Sequence, residues 1–160
     1  MRPRVGSGID VHPFGDDDRP LVLAGVRIPD GAGLQGHSDA DVVSHAVADA
    51  LLGALALGDL GSRFGVDTDE LAGADSMVLL RDVVADVHSR GHVVGNLDVT
   101  IVAQRPRLAP HREAMRQGLA DAMQVGVDQV SVKATTTDRL GTIGRGEGIA
   151  CWATVLVLPA

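Results

Sequence analysis

Residues 148–158 read GIACWATVLVL, an apolar run without a charge and without a helical period. Drawn out as a strand, it sends Ile149, Cys151, Ala153, Val155 and Val157 to one face and Ala150, Trp152, Thr154, Leu156 and Leu158 to the other. Both faces are largely apolar, so the strand belongs in a sheet covered on both sides. Four further strand-like runs lie upstream, at Val5–His12, Leu21–Ile28, Val93–Ala103 and Gln129–Thr135. Three helical patterns alternate with them. The first, SDADVVSHAVADALLGALALGD, starts at Ser38 as cap with Asp41 three residues on. The second begins at Ser76 and stops at Gly91; the third runs from about Pro110 to Val125 and ends at Gly126. This order predicts an α/β fold forming one domain over residues 1–160. Three helices suffice to cover one face of such a sheet. The second face is expected to pack against another copy of the chain, because large apolar patches are rarely left bare on monomers.

The composition excludes several classes of function. Hydrophobic residues make up 45% and charged residues 22%, which is the balance of a folded chain rather than a disordered one. No apolar run approaches the ~20 residues that span a bilayer. The opening MRPRVGSGID enters a strand without a targeting pattern, so no membrane association and a cytoplasmic location are expected. A net charge of −7, with Lys133 the only lysine, argues against nucleic acid. Phe14, Phe64 and Trp152 are too few for a base-stacking platform. Cys151 stands alone, which excludes an internal disulfide and a cysteine-rich zinc site, and is expected to be buried.

Three stretches concentrate chemistry. In IDVHPF, residues 9–14, Asp10 and His12 stand two apart and share one strand face. In GHSDADVVSHA, residues 36–46, His37 precedes a helix and His45 lies within it, four residues from both Asp41 and Asp49. A carboxylate one turn from an inward histidine is a common way of orienting a metal-binding imidazole. Two histidines and a carboxylate with a fourth position open is a catalytic zinc arrangement, although a solvated polar stripe has the same spacing. In KATTTDRLGTIGRGEG, residues 133–148, three hydroxyls, an acid and a glycine-rich turn with Arg145 suit a phosphate-bearing ligand, with Asp138 available to a hard cation. A threonine-rich strand followed by turns would look the same. His88 and His92 flank a helix end and are expected at the surface, while His111 reads as structural.

Taken together, GIDVHPFG, GVRIP, GHSDADVVSHAVADALLGALALGDLG, GADS, GNLDVTIVAQRPRLAPH, VSVKATTTDRLG and GRGEGIAC resemble the 2-C-methyl-D-erythritol 2,4-cyclodiphosphate synthase family across essentially the whole chain. The resemblance implies a homotrimer of α/β subunits with sheets lining the interior and active sites at subunit boundaries. It implies zinc on Asp10, His12 and His45, magnesium or manganese held by Asp138, and His37 and Thr136 as transition-state stabilisers. Ser38 would contact substrate phosphate, and Asp59, Gly61 and Asp67 the methylerythritol hydroxyls. Ala103, Arg107, Leu108, Ala109, Ala134 and Thr135 of a neighbouring subunit would hold cytidine, and Thr137, Thr142 and Arg145 complete the implied contacts. The implied reaction is intramolecular: the 2-phosphate of a cytidine-diphosphate substrate attacks the β-phosphorus and CMP leaves. The chain departs from the family pattern at Asp138, where glutamate is frequent, at Thr142, where phenylalanine is common, and at Arg107, which replaces a lysine. FGVDTD also carries one residue more before its acids than the common form. A zinc phosphohydrolase and a non-catalytic trimeric binding protein remain as alternatives.

Overall fold

In the computed structural model, which describes residues 2–15, 18–65 and 72–160, β6 (Gly148–Pro159) lies inside a sheet as its two apolar faces require. It pairs antiparallel with β1 (Arg4–Pro13) on one side and with β4 (His92–Val102) on the other. β5 (Val130–Thr135) runs parallel to β4 and completes the order β1-β6-β4-β5. These four strands match the sequence expectation to within one residue at each end. The fifth expected strand, Leu21–Ile28, is instead a hairpin of β2 (Pro20–Leu23) and β3 (Val26–Ala32). Ala24 and Gly25 turn it with φ of 52° and 74°, the left-handed pair that a two-residue hairpin loop requires. Alanine at the first of these positions conceals the turn.

The first helix also begins later than expected. α1 spans Val42–Ala54 and its cap is Asp41, not Ser38, with one carboxylate oxygen accepting from Val43 N and Ser44 N at 3.1 Å each. The same side chain accepts from Ala24 N and Gly25 N at 2.8 Å, so one buried acid ties the hairpin to the helix start. Burial pushes the Asp41 carboxyl above its ordinary range, against the pull of these hydrogen bonds. The chain breaks after Ala54 and restarts as a short α2 (Leu60–Phe64), capped by Asp59. α3 (Ser76–Ser89) ends as expected, with Gly91 just beyond at φ 72°. α4 covers Arg112–Met123 after a 3-10 turn at Ala109–His111, and Gln124 rather than Gly126 takes the left-handed cap, at φ 58°. A last short helix, α5 (Gly141–Gly144), was not signalled by periodicity.

α1 sits unusually close to the sheet. A Cβ on Gly6 would come within 1.8 Å of the Ala50 carbonyl oxygen, and one on Gly8 within 2.1 Å of that of Ala46. Only glycine at both positions lets the helix backbone rest on β1. The core fills the layer between the sheet and α1, α3 and α4: Leu51, Leu80, Ile101, Leu119 and Val155 are fully buried there. Cys151 is buried in the same layer, which pushes its thiol far above the ordinary range. His92 is buried too, contrary to the surface expectation, and its Nδ1 donates to Arg90 O at 2.9 Å.

Among the described residues, no helix covers the opposite face. Ile9 pairs with Trp152 in register and Val11 with Ala150, and Val5, Ile9, Val11 and Trp152 are 67%, 49%, 55% and 55% exposed. No described helix is long and apolar enough to cross a membrane.

Candidate metal centre

The glycines of β1 bring α1 down against the strand, and three side chains meet where the two elements face each other. Asp10 and His12 leave the same face of β1, as their spacing predicts; it is the helix side, and His45 comes from the first turn of α1. Asp10 Oδ2 lies 2.8 Å from His12 Nε2 and 3.0 Å from His45 Nδ1. One donor atom from each residue falls within 4.8 Å of the other two, and all three side chains are partly open to solvent. The remaining ring nitrogens have protein partners. His12 Nδ1 donates to Gln35 O at 2.6 Å, which turns Nε2 toward the cluster. His45 Nε2 lies 2.9 Å from Ser76 Oγ and 3.2 Å from Ser38 Oγ. Two imidazoles and a carboxylate with their far sides satisfied fit a divalent metal ion with a position left open.

The charges reinforce one another. Burial raises the Asp10 carboxyl, but hydrogen bonds from His12 and His45 outweigh it and hold the group far below its ordinary range. Burial lowers His12, yet the hydrogen bond and charge of Asp10 leave it above its ordinary 6.5. Two carboxylates expected near His45 do other work. Asp41 turns away to cap α1, and Asp49 Oδ1 accepts from Leu60 N at 2.8 Å, fixing the start of α2. Burial pushes the Asp49 carboxyl up, and the nearby charges of Asp59 and Asp10 add to this.

A cavity of about 310 Å³ opens beside the cluster, lined by the polar Asp10, His37, Ser38, His45 and Asp49 together with Leu60, Gly61, Phe64 and Leu79. The structure thus gathers Asp10, His37, Ser38, His45 and Gly61 around one cavity. Asp59 caps α2 beside it, its carboxyl lowered by the Ser62 hydrogen bonds. Asp67 lies outside the described residues. The loop carrying His37 is held by Arg19, whose Nη1 donates to the carbonyls of Leu34, Gly36 and Ser38 at 3.3, 2.9 and 3.4 Å.

Ala103, Arg107, Leu108, Ala109, Ala134, Thr135 and Thr136 line a second cavity, also about 310 Å³, that shares no residue with the first. Asp138 adjoins it, its backbone N–H donating to Thr136 Oγ1 at 3.1 Å. Thr137 Oγ1 donates to Leu140 O at 2.7 Å, and Arg145 pairs with Glu147. Thr136, Asp138, Thr142 and Arg145 are exposed in the single chain, and none of them lines the cavity beside His45.

Sequence reading missed the roles of Ser76 and Asp39, which stand behind His45, and of Arg19. Ser76 Oγ donates to Asp39 Oδ1 in a short bond, and these residues lie far apart in the chain, where no local pattern links them.

The YgbB family model matches residues 3–158. The 2-C-methyl-D-erythritol 2,4-cyclodiphosphate synthase of Pseudomonas putida strain W619 is 56% identical over 157 residues, covering 98% of this chain and 99% of that protein. The bifunctional IspDF of Campylobacter jejuni superposes with a TM-score of 0.94 at 42% identity, covering 99% of this chain and 42% of that one. A CDP complex of Plasmodium falciparum IspF gives 0.86 at 30% identity over 98% of this chain and 96% of that one.

Proposed function

The chain belongs to the YgbB family, and on that premise we propose that it converts 4-diphosphocytidyl-2-C-methyl-D-erythritol 2-phosphate to 2-C-methyl-D-erythritol 2,4-cyclodiphosphate and CMP. This is a step of non-mevalonate (MEP) isoprenoid precursor biosynthesis, and by bond type a phosphorus–oxygen lyase reaction. The observation that carries the reading is the Asp10–His12–His45 cluster opening onto a cavity walled by His37 and Ser38.

An oxygen of the 2-phosphate attacks the β-phosphorus, the bond from that phosphorus to the bridging oxygen breaks, and CMP departs with the electron pair. The nucleophile is already an anion, so no serine or cysteine nucleophile is needed, and Cys151 is buried away from solvent. Catalysis then consists of positioning and of neutralising charge. Zinc on Asp10, His12 and His45, with magnesium or manganese held at Asp138, would supply Lewis-acid neutralisation of the phosphates. His37, Ser38 and Thr136 donate hydrogen bonds to phosphoryl oxygens, the first and last most strongly as charge builds. Asp59, Gly61 and Asp67 hold the methylerythritol hydroxyls. Ala103, Arg107, Leu108, Ala109, Ala134 and Thr135 receive the cytidine, with Thr137, Thr142 and Arg145 at its phosphate side.

His37, Ser38 and Gly61 line one cavity and Ala103, Arg107, Leu108, Ala109, Ala134 and Thr135 another, which supports an active site completed by a neighbouring subunit. The bare apolar face of β1 and β6 supports the same assembly, a homotrimer whose sheets face inward. A substrate this highly charged does not cross a bilayer unaided, and the reaction is assigned to the cytoplasm.

Phosphorus NMR of the purified protein with this substrate, zinc and magnesium tests the reading. Cyclic diphosphate and CMP in equal amounts are expected. Release of inorganic phosphate would instead identify a phosphohydrolase, and unchanged substrate a binding protein. His45→Ala should abolish turnover and zinc uptake while the oligomer persists, and unaltered zinc content would reject the ligand assignment.

A further inference from the structure

We infer that Ser76 and Asp39 form a hydrogen-bonded relay behind His45 that presents its Nδ1 to the metal, making Ser76 a positioning residue for the site. The inference rests on the divalent-metal reading above and deepens it.

Ser76 is the first residue of α3 and is 1% exposed, in the stretch GADS to which no chemistry was otherwise attached. Its hydroxyl is placed among three partners: Asp39 Oδ1 in a short bond, His45 Nε2 at 2.9 Å and Ser38 Oγ at 3.2 Å. A hydroxyl has one proton to give. The carboxylate is the strongest acceptor of the three, so the Ser76 proton goes to Asp39. The Ser76 oxygen then has its lone pairs free for a proton on His45 Nε2. In the metal-free chain Nδ1–H donates to Asp10 Oδ2 at 3.0 Å; a cation placed there would displace that proton, and the imidazole protonated at Nε2 would then offer it the Nδ1 lone pair. His12 reaches the complementary state by a different route, with Nδ1 donating to Gln35 O and Nε2 turned to the cluster. The two histidines therefore use opposite nitrogens, each dictated by what stands behind it.

The backbone holds the relay rigid. Ser76 N donates to Asp39 Oδ2 at 3.2 Å and Asp39 N donates to Ala74 O at 3.0 Å, while Gly73 N donates to His37 O at 2.7 Å. The start of α3 is thus laced to the loop that carries His37 and Ser38. Asp39 ends the hydrogen-bonded series behind the imidazole, joined to it through Ser76 Oγ. Ser38 Oγ accepts from Ala40 N, and with the Ser76 proton on Asp39 the Ser38 hydroxyl is the donor to Ser76 Oγ at 3.2 Å.

The test combines two measurements on the full chain. Zinc affinity is determined by competition with a chromophoric chelator for the wild type and for Ser76→Ala, which leaves the Ser76 N–H to Asp39 in place. Loss of the relay should weaken zinc about 10- to 100-fold. The melting temperature of the metal-free variant should stay close to that of the wild type. Affinity within about threefold of the wild type overturns the proposal, and a wild type that takes up no zinc overturns the metal reading together with it. Independently of any variant, 15N NMR of histidine-labelled, zinc-loaded protein should show His45 protonated at Nε2 and coordinated through Nδ1. The opposite tautomer at His45 refutes the relay.

Discussion

Gly8→Ala probes how the fold makes the site. The added Cβ would sit 2.1 Å from Ala46 O and 2.8 Å from Ala50 N, both backbone atoms of α1 that cannot swing aside. Ordinary contact begins near 3.4 Å, so α1 must lift from β1 by about 1 Å or the strand must bend by as much. Overpacking of this kind costs about 1–3 kcal/mol, and against backbone the upper end is expected. For a chain of this length that lowers the melting temperature by about 5–10 °C. The functional consequence is larger. Ala46 adjoins His45, whereas Asp10 and His12 stand on β1, so the same displacement separates the metal ligands. Coordination tolerates only about 0.2 Å of error, and a misplacement near 1 Å at a reacting centre costs about 100-fold in rate. The assay is thermal melting with and without chelator, a zinc titration, and CMP release. Gly53→Ala is the control: its Cβ would meet nothing nearer than Ser7 O at 3.8 Å, and alanine in a helix is favoured by about 1 kcal/mol over glycine. It should melt at or slightly above the wild type with zinc binding intact. A Gly8→Ala protein that keeps wild-type melting and zinc affinity would refute the argument that this close packing builds the site.

Asp41→Ala removes an acceptor used by Ala24 N, Gly25 N, Val43 N, Ser44 N and Ser44 Oγ. The loss of the cap and the stranding of buried donors should cost about 2–4 kcal/mol, read as a melting temperature lower by roughly 10 °C. pH gives a further check on the metal-free chain. The folded carboxyl of Asp10 is lowered, so its contribution is present above 3.8 and is lost as pH falls through the lowered value. His12 is raised, so its contribution is complete below 6.5 and is lost as pH rises through the raised value. Chelated protein should therefore melt lower at pH 8 than at pH 6, while zinc, which competes with the proton on His12, should bind more tightly over that interval. Melting that rises from pH 6 to 8 would contradict these assignments. Trp152→Glu places a charge on the bare sheet face, and light scattering should then give the 16.6 kDa of one chain in place of the trimer proposed above.

The strands were legible because each carries an apolar alternation along its own length, and β6 carries it on both faces. The β2–β3 turn was not, because its left-handed residues are Ala24 and Gly25 rather than an asparagine–glycine pair. At the metal centre the division is sharper. Asp10 and His12 share a strand face by local geometry alone, and His45 falls on an inward helical position, so spacing made the cluster possible and the family resemblance nominated it. What turns their nitrogens toward one another is not local. His12 is oriented by the Gln35 carbonyl and His45 by Ser76, and both contacts bridge more than twenty residues of chain. Helical spacing pointed to Asp41 and Asp49 as the supporting carboxylates, since each is one turn from His45. The structure uses both to hold the helix start and α2, which demand acceptors for backbone N–H groups that would otherwise be buried unpaired. That demand is met before any side chain is free to orient a ligand, so orientation falls to a helix whose N-terminus arrives from elsewhere. Which side chains share a face is thus written in local periodicity, whereas the geometry of the candidate ligands depends on tertiary contacts. Mutations at Gly8 or Ser76 should accordingly damage the site without touching any residue that binds metal.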